Sequence, residues 1–146
     1  MNTRILVING PNLNLTGTRK PEIYGTTTLV EINEQIAAYA AEKGFACDFF
    51  QSNHEGAIID RLHEAKGVYK GVILNAGGYS HYSYAIRDAI EAVELPVVEV
   101  HISNIFARDE FRAHPVLSAV CIGHISGFGA PESYLLAVDA LSRRKG

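Results

Sequence analysis

Apolar runs and amphipathic stretches alternate along the whole of this chain. Five short runs are apolar for most of their length, as expected of strands buried in a sheet. These predicted strands cover residues 5–8, 45–50, 71–74, 96–100 and 118–122. The stretches between them repeat apolar residues every three or four positions, which predicts helices. Alternation of this kind indicates a parallel sheet with helices on both faces.

Capping residues indicate where the predicted helices begin. Thr27 or Thr28 can cap the first helix, Asn53 can cap the second, and Pro131 suits the first turn of the last one. The 146 residues are few enough for a single domain, expected to span 1–146. The expected fold is an α/β, flavodoxin-like three-layer sandwich, whose five-stranded parallel sheet has the order 2-1-3-4-5.

Three loops at one edge of this predicted sheet hold the polar residues of greatest interest. They follow strands 1, 3 and 4 and cover residues 12–25, 75–82 and 101–112. The carboxyl ends of parallel strands meet at the same edge, where open α/β sheets bind ligands. The first loop is far longer than the ~2–6 residues of an ordinary βα connection. We therefore interpret residues 12–25 as a lid over a ligand site.

The lid carries a cation and a phenol, Arg19 and Tyr24. A free tyrosine has a pKa of about 10, so it is a weak base at neutral pH. Lowering that pKa by ~2 units requires roughly 2.7 kcal/mol of preferential stabilisation of the tyrosinate, much of which an adjacent guanidinium could supply. The alternative is an exposed arginine beside a tyrosine that anchors the loop by packing. From the loop alone, both interpretations stay open.

The end of the fourth predicted strand pairs a carboxylate with an imidazole. Side chains alternate along a strand, so Glu99 and His101 share a face, and the carboxylate can orient the ring and raise its proton affinity. Such a ring suits a general acid. Ser103 or Asn104 can cap a short helical turn, whose free N–H groups could bind a carboxylate. The competing interpretation is a histidine that closes a strand and a serine that closes a turn, and the neighbouring glutamate favours the functional one.

Two weaker signals lie in the remaining loops of this edge. Asn75 and His81 flank two glycines at 77–78 that would let a ligand approach the backbone, although such a sequence is also ordinary turn chemistry. Arg108 and Arg112 are four residues apart and are predicted to share one helical face. They form either a basic surface stripe or a clamp for an anion or for hydroxyl groups.

Composition and charge exclude several classes of function. Thirteen basic and 16 acidic side chains give a net charge of −3, so no overall field attracts nucleic acid or an anionic membrane surface. No apolar run approaches the ~20 residues of a membrane span. Cys47 and Cys121 lie in strand-like runs, which predicts buried thiols in a reducing compartment, the cytoplasm. The histidines and cysteines show no metal-ligand spacing, so a bound metal is not expected.

Four segments of the chain agree in order and spacing with one known family. They are Gly10-Pro11-Asn12-Leu13-Asn14 with Gly17-Thr18-Arg19 and Pro21-Glu22-Ile23-Tyr24-Gly25; Asn75-Ala76-Gly77 with His81; Arg87-Asp88; and Glu99-Val100-His101-Ile102-Ser103-Asn104 with Arg108 and Arg112. Over essentially its full length the chain thus resembles the type II 3-dehydroquinate dehydratases. The resemblance implies a single catalytic domain, a hydro-lyase that uses neither a metal nor an organic cofactor.

This resemblance implies the anti elimination of water from 3-dehydroquinate to 3-dehydroshikimate through an enolate. The reaction serves the shikimate pathway to aromatic amino acids and also quinate breakdown, and both roles stay open. In the family pattern Tyr24, as tyrosinate, is the base, and Arg19 stabilises both the tyrosinate and the closed lid. Asn12, through a bound water, stabilises the enolate oxygen. His101, oriented by Glu99, protonates the departing hydroxyl.

The same resemblance implies how the substrate is held. Asn75 and the backbone N–H groups of Ile102 and Ser103 would bind the substrate carboxylate. His81 and Arg112 would bind the ring hydroxyls.

The resemblance also implies a homo-oligomer. Asp88 would reach into the site of a neighbouring subunit, and the family assembles as a dodecamer, a tetramer of trimers. The expected partners are therefore the small-molecule substrate and further copies of this chain.

Three positions depart from the family pattern. Thr16 stands where leucine is common, Gly78 replaces an alanine, and Tyr82 replaces a threonine. We expect them to alter lid packing, the shape of the substrate rim and affinity more than the type of reaction.

Two alternatives to catalysis were weighed against this interpretation. A flavodoxin-like ligand-binding or signalling module would carry an acidic phosphoacceptor cluster or a Ser/Thr-rich phosphate loop after the first strand, where this sequence has Asn9-Gly10-Pro11-Asn12. An inactive structural subunit would have lost Arg19, Tyr24 or His101, and all three are present.

Overall fold

A five-stranded parallel sheet forms the centre of this protein. The computed structural model describes residues 2–18, 21–24 and 26–145, with the backbone alone at 23 and 24. The strand order is β2-β1-β3-β4-β5, as predicted, and every neighbouring pair is parallel. The strands are β1 Arg4–Asn9, β2 Ala46–Gln51, β3 Gly71–Asn75, β4 Val97–His101 and β5 Gly123–Ser126.

Helices cover both faces of the sheet. A one-turn helix, α1 Pro21–Tyr24, is followed by four longer helices: α2 Leu29–Glu42, α3 Glu55–Ala65, α4 Tyr84–Val93 and α5 Glu132–Arg143. Helices α2 and α5 contact each other on one face, and α3 and α4 contact each other on the opposite face. Among the described residues, no helix has the length and apolar character needed to cross a membrane.

Side-chain alternation along β1 supplies the core of both layers. Ile5 and Val7 pack into the layer of α2 and α5, whereas Leu6 and Ile8 pack into the layer of α3 and α4. All four side chains are fully buried, and each contributes about 1.5–3 kcal/mol through that burial. The two apolar layers therefore fix the sheet from both sides and hold the strand ends in place.

Helix α2 begins at one of the two predicted caps. The Thr28 hydroxyl accepts the backbone N–H of Glu31, and the Glu31 carboxylate accepts the backbone N–H of Thr28. This reciprocal capping box satisfies two N–H groups that the first turn leaves free. It fixes where the chain leaves the lid segment and enters the helix.

Two of the predicted boundaries are wrong. The fifth strand lies at Gly123–Ser126 rather than at 118–122, because Ser118–Val120 form a 3₁₀ turn instead. Asn53 does not cap α3, whose N-cap is His54. The side-chain Oδ1 of Asn53 accepts the backbone N–H of Asn12 at 2.9 Å, so this side chain ties the loop after β2 to the loop after β1.

Both cysteines are free thiols, each half-buried. Burial, together with the charge of Asp48, raises the pKa of Cys47 to about 11. Burial, together with the charge of Glu99, raises the pKa of Cys121 to about 12. Both groups therefore stay protonated near neutral pH, as structural thiols do.

Candidate active site

A cavity of about 120 Å³ lies at the carboxyl edge of the sheet, beside the ends of β1, β3 and β4. The strand order reverses between β1 and β3, and α/β sheets bind ligands at this kind of position. Seven of the predicted site residues line the cavity: Asn12, Asn75, His81, His101, Ile102, Ser103 and Arg112. All three predicted loops contribute described residues to this lining, the first of them Asn12 and Leu13.

The end of β4 places a buried, hydrogen-bonded pair of a carboxylate and an imidazole at the cavity wall. Val98 and Val100 point into the core layer of α2 and α5. Because side chains alternate along a strand, Glu99 and His101 both point to the opposite face of the sheet. The His101 Nε2–H donates to Oε2 of Glu99 at 2.6 Å, and Glu99 is fully buried. This confirms the predicted pairing of these two side chains.

The hydrogen bonds around Glu99 keep it ionised. Burial alone would raise the pKa of this carboxyl, but hydrogen bonds from His101, His124 and Ser118 outweigh it and lower the pKa to about 2. An ionised Glu99 accepts from His101 at all pH values near neutrality. The His101 ring is therefore fixed in orientation, with Nδ1 left for a ligand.

Two residues that the sequence did not single out complete this network. Ser118 Oγ donates to Oε1 of Glu99 at 2.5 Å, and Nδ1 of His124 lies 2.9 Å from that hydroxyl and 3.2 Å from the same carboxylate oxygen. His124 occupies β5 directly opposite Glu99 in the β4–β5 register. The β4–β5 register would have revealed His124 as a neighbour of Glu99, but the fifth strand was predicted at the wrong residues.

Glu99, His101 and His124 form a candidate metal-ligand cluster that the spacing of histidines and cysteines along the sequence did not reveal. Ligand atoms of Glu99, His101 and His124 all lie within 4.8 Å of one another, and a carboxylate with two imidazoles is a donor set that divalent transition metals accept. In the structure, each of the three groups is already engaged in hydrogen bonds within the cluster. The expectation of a reaction without metal stays a prediction, which an assay with and without a chelator would test.

His81 lies against the His101 ring on the cavity side. The two rings stack with centroids 5.9 Å apart, and Phe111 packs edge-on against His81 at 5.6 Å. Burial, followed by the positive potential of His101 and Arg112, lowers the pKa of His81 to about 4. Its buried Nδ1 has no partner in the part of the chain that the structure describes. His81 is thus a neutral hydrogen-bonding group rather than a charge at neutral pH.

The lowered pKa of His81 predicts an acid-sensitive contribution to stability. The folded value of about 4 lies below the ordinary 6.5, so below pH ~6.5 the unfolded chain binds more protons than the folded chain. This contribution is complete above pH ~6.5 and is lost as the pH falls towards 4. The His81→Asn variant should therefore lose less unfolding free energy between about pH 7 and about pH 5 than the wild type, measured by urea denaturation.

The matched control for this prediction is His63→Asn, because His63 is exposed on α3. The control should keep the wild-type loss of unfolding free energy over the same interval. Equal losses in His81→Asn and wild type would contradict the assigned origin of the acid sensitivity.

Asn75 is held by a buried hydrogen-bond chain beneath the cavity. Its Nδ2 donates to Oη of Tyr134 at 3.0 Å, and its Oδ1 accepts the backbone N–H of Gly77 at 3.2 Å. Tyr134 is fully buried and its hydroxyl donates to Oδ1 of Asn9 at 2.5 Å. One N–H of the Asn75 amide remains beyond the bond to Tyr134, and the rigid amide can present it to a ligand.

The loops after β1 and β3 pack backbone against backbone, which requires glycine. A Cβ on Gly10 would lie 2.5 Å from the carbonyl oxygen of Ala76, and Gly77 has a φ of +60° with Pro11 close to it. A Cβ on Gly78, by contrast, would meet nothing within 4 Å. The departure from the family pattern at this position therefore reflects no steric demand within the described chain.

The first turn of the loop after β1 is fixed by local hydrogen bonds. Asn12 has a left-handed φ of 69° and is exposed at the cavity. Thr16 is buried, and its hydroxyl donates to the carbonyl oxygen of Leu13 at 2.6 Å. A local hydrogen bond thus satisfies the hydroxyl that replaces the apolar side chain common in the family.

The two arginines reach the cavity from separate turns rather than from one helical face. Arg108 follows the 3₁₀ turn Ile105–Ala107, and Arg112 lies within the next one, Glu110–Ala113. The prediction of a shared helix is wrong because Asp109 interrupts the helical path with extended backbone. Both arginines nevertheless line the cavity, and Arg108 Nη1 donates to Oγ of Ser103 at 3.3 Å.

The remaining predicted site residues are not brought to the cavity by the described part of this chain. Arg19 lies outside the described residues, and Tyr24 ends α1 with only its backbone described. Asp88 is exposed on α4 and is not among the residues that line the cavity.

The chain is similar to a well-populated group of proteins. The family model for dehydroquinase class II matches residues 3–142. A 3-dehydroquinate dehydratase of Ruegeria pomeroyi is 57% identical over 140 residues, which cover 96% of this chain and 93% of the relative. One of Chlorobaculum tepidum is 57% identical over 144 residues, 97% and 95% of the two chains. The crystal structure of a type II dehydroquinase from Butyrivibrio crossotus superposes with a TM-score of 0.93 at 46% identity, covering 96% of this chain and 97% of that one. By these matches and by its flavodoxin-like sheet, the chain belongs to the class II dehydroquinase family.

Proposed function

We propose that this protein is a 3-dehydroquinate dehydratase, which eliminates water from 3-dehydroquinate to give 3-dehydroshikimate. The observation that carries the proposal is the Glu99–His101 pair at the wall of the carboxyl-edge cavity, in a chain that belongs to the class II dehydroquinases. A buried carboxylate that orients a histidine supplies a proton donor for a departing hydroxyl.

The elimination divides into two proton transfers. The Tyr24 tyrosinate, stabilised by Arg19, removes the proton alpha to the ketone and leaves an enolate. Asn12, through a water, stabilises the enolate oxygen until the hydroxyl departs. His101 then donates the proton from its Nδ1 to the departing hydroxyl, which leaves as water. A proton passing from Tyr24 back to His101 through solvent restores both groups.

Glu99 is suited to this cycle because it stays ionised and takes no part in the proton transfers. Its pKa, lowered to about 2, keeps a negative charge beside the His101 ring throughout. That charge stabilises the imidazolium form, which is the proton donor, and it fixes Nδ1 as the nitrogen that faces the substrate.

Substrate binding uses the polar groups around the same cavity. We assign the substrate carboxylate to Asn75 and to the backbone N–H groups of Ile102 and Ser103. Neutral His81 and charged Arg112 bind the ring hydroxyls, a division supported by the lowered pKa of His81. The reaction is anti, with the base and the acid on opposite faces of the ring.

The direct test of this function is an assay with and without a chelator. Purified protein mixed with 3-dehydroquinate should produce the absorbance of a conjugated enone, and the rate should be unchanged after treatment with EDTA. Absence of the signal would refute the activity. A rate that falls with chelator and returns with a divalent metal would contradict the reaction without metal.

We further propose that the enzyme works in the cytoplasm as a homododecamer built from trimers, with Asp88 of each chain completing the site of its neighbour. Asp88 is exposed on α4, and Tyr84 on the same helix is 64% exposed although aromatic, as expected of an interface residue. Sedimentation should give twelve chains per particle. A monomer that is fully active would contradict this assembly.

The non-catalytic alternative, a flavodoxin-like binding or signalling module, is not favoured. Membership of the class II dehydroquinase family argues for catalysis, and His101 and Glu99 retain the arrangement that a proton donor needs.

A further inference from the structure

A second hydrogen-bonded arm holds Glu99 from the side opposite His101. Ser118 Oγ lies 2.5 Å from Oε1 of Glu99, and Nδ1 of His124 lies 2.9 Å from Ser118 Oγ. His101 uses the other carboxylate oxygen, Oε2. The two arms therefore divide the carboxylate between them, one oxygen each.

The hydrogen-bond partners of Ser118 and His124 determine which atom carries each proton in this arm. An ionised Glu99 can only accept, so the single hydroxyl proton of Ser118 points at Oε1. Ser118 Oγ then has only lone pairs left for His124, so His124 carries its proton on Nδ1 and donates it. The His124 Nδ1–H therefore points at Ser118 Oγ, with Oε1 of Glu99 also within 3.2 Å, and the Ser118 hydroxyl donates to Oε1.

The surroundings of His124 fit this neutral tautomer. Its Nε2 is buried and has no partner among the described residues, and a buried N–H left unpaired would be more costly than a bare nitrogen, above all on a charged ring. The His124 ring packs beside His101 with centroids 5.2 Å apart and beside Phe106 at 5.8 Å. The arm is thus built into the wall behind the proton donor.

We propose that Ser118 and His124 are positioning residues for the elimination, acting through Glu99 on His101. Without them Oε1 loses its donors, and the carboxylate can rotate away from the geometry that aims Nδ1 of His101 at the departing hydroxyl. This inference rests on the proposed function, since it assigns these residues to the protonation step. The enolate-forming step does not involve them.

The kinetic test separates a positioning role from a merely structural one. Ser118→Ala and His124→Leu should each lower kcat roughly tenfold, the effect of one lost hydrogen bond in the transition state, with KM little changed. Exchange of the alpha proton of the substrate with solvent deuterium should persist at the wild-type rate. His124→Asn, which keeps a donor near the position of Nδ1, should recover most of the rate. Ser142→Ala on α5 and His63→Asn on α3 are the matched controls and should retain wild-type kcat.

A double variant tests whether Ser118 affects kcat through His101. In the His101→Ala variant, adding Ser118→Ala should change kcat by less than about twofold, because the group that the arm positions is gone. A full tenfold further loss, or a parallel loss of alpha-proton exchange in the single variants, would overturn the proposal.

Histidine ¹⁵N NMR gives a readout that does not depend on turnover. His124 should be protonated at Nδ1, and Ser118→Ala should shift the ring signals of both His124 and His101. A His124 protonated at Nε2, or His101 signals unmoved in Ser118→Ala, would overturn the arm even if the enzyme is active. Wild-type protein without dehydratase activity but with these signals would refute the proposed function and, with it, the catalytic role of the arm.

Discussion

Replacing Tyr24 with phenylalanine is expected to lower kcat by roughly 10³-fold or more. Phenylalanine keeps the ring but has no hydroxyl to ionise, so no group on the lid can remove the alpha proton. Steady-state assay of 3-dehydroquinate turnover measures the loss. Calorimetric titration with 3-dehydroshikimate should show binding close to that of the wild type, because Tyr24 acts on the proton and not on the bound ring.

The matched control is Tyr39→Phe on α2. This change also removes one tyrosine hydroxyl, which donates to Asp139 at 2.9 Å, but it does so in the layer of α2 and α5, away from the cavity. Its kcat should equal that of the wild type. Substantial turnover in Tyr24→Phe would remove Tyr24 as the base, and exchange of the alpha proton in that variant would lead to the same conclusion.

Replacing His101 with alanine is expected to lower kcat by about 10²–10⁴-fold while leaving enolate formation in place. The hydroxyl then has no proton donor, so the enolate returns to the ketone more often than it eliminates. In deuterated water the variant should incorporate deuterium alpha to the ketone of recovered substrate, measured by mass spectrometry. Tyr24→Phe should incorporate almost none.

Alpha-proton exchange in His101→Ala but not in Tyr24→Phe would assign the first proton transfer to Tyr24 and the second to His101. The His114→Ala variant serves as a control, because His114 is exposed and pairs with Glu110 at the surface. A His101→Ala enzyme that neither eliminates nor exchanges would show that His101 takes part in the first proton transfer, against the roles assigned here.

The periodicity of the chain predicted a five-stranded parallel sheet, and the flavodoxin-like arrangement expected for its length supplied the strand order, which is confirmed. The continuous apolar run at 5–8 predicted a strand covered on both faces, and all four side chains are fully buried in β1. Alternation along one strand was also enough to pair Glu99 with His101, which lie 2.6 Å apart. Contacts within a single element follow from local pattern, and for that reason the pairing of Glu99 with His101 was predictable.

The contacts that escaped prediction depend on register between elements. The fifth strand was predicted at 118–122 because Cys121 and Ile122 are apolar, but the strand begins at Gly123. The shift hid the pairing of His124 with Glu99 across the β4–β5 ladder. Asn53 was assigned to a helix end, whereas its side chain bonds the Asn12 backbone from the next loop. No local sequence pattern specifies the register between two strands or a contact between two loops.

Stereospecifically deuterated 3-dehydroquinate tests the central claim most directly, because one reaction reports both the product and the face from which the alpha proton is removed. With the label alpha to the ketone and anti to the departing hydroxyl, the account predicts 3-dehydroshikimate that has lost its deuterium. With the label on the opposite face, it predicts product that retains it. Loss of the syn label, or no product from either substrate, would contradict the account.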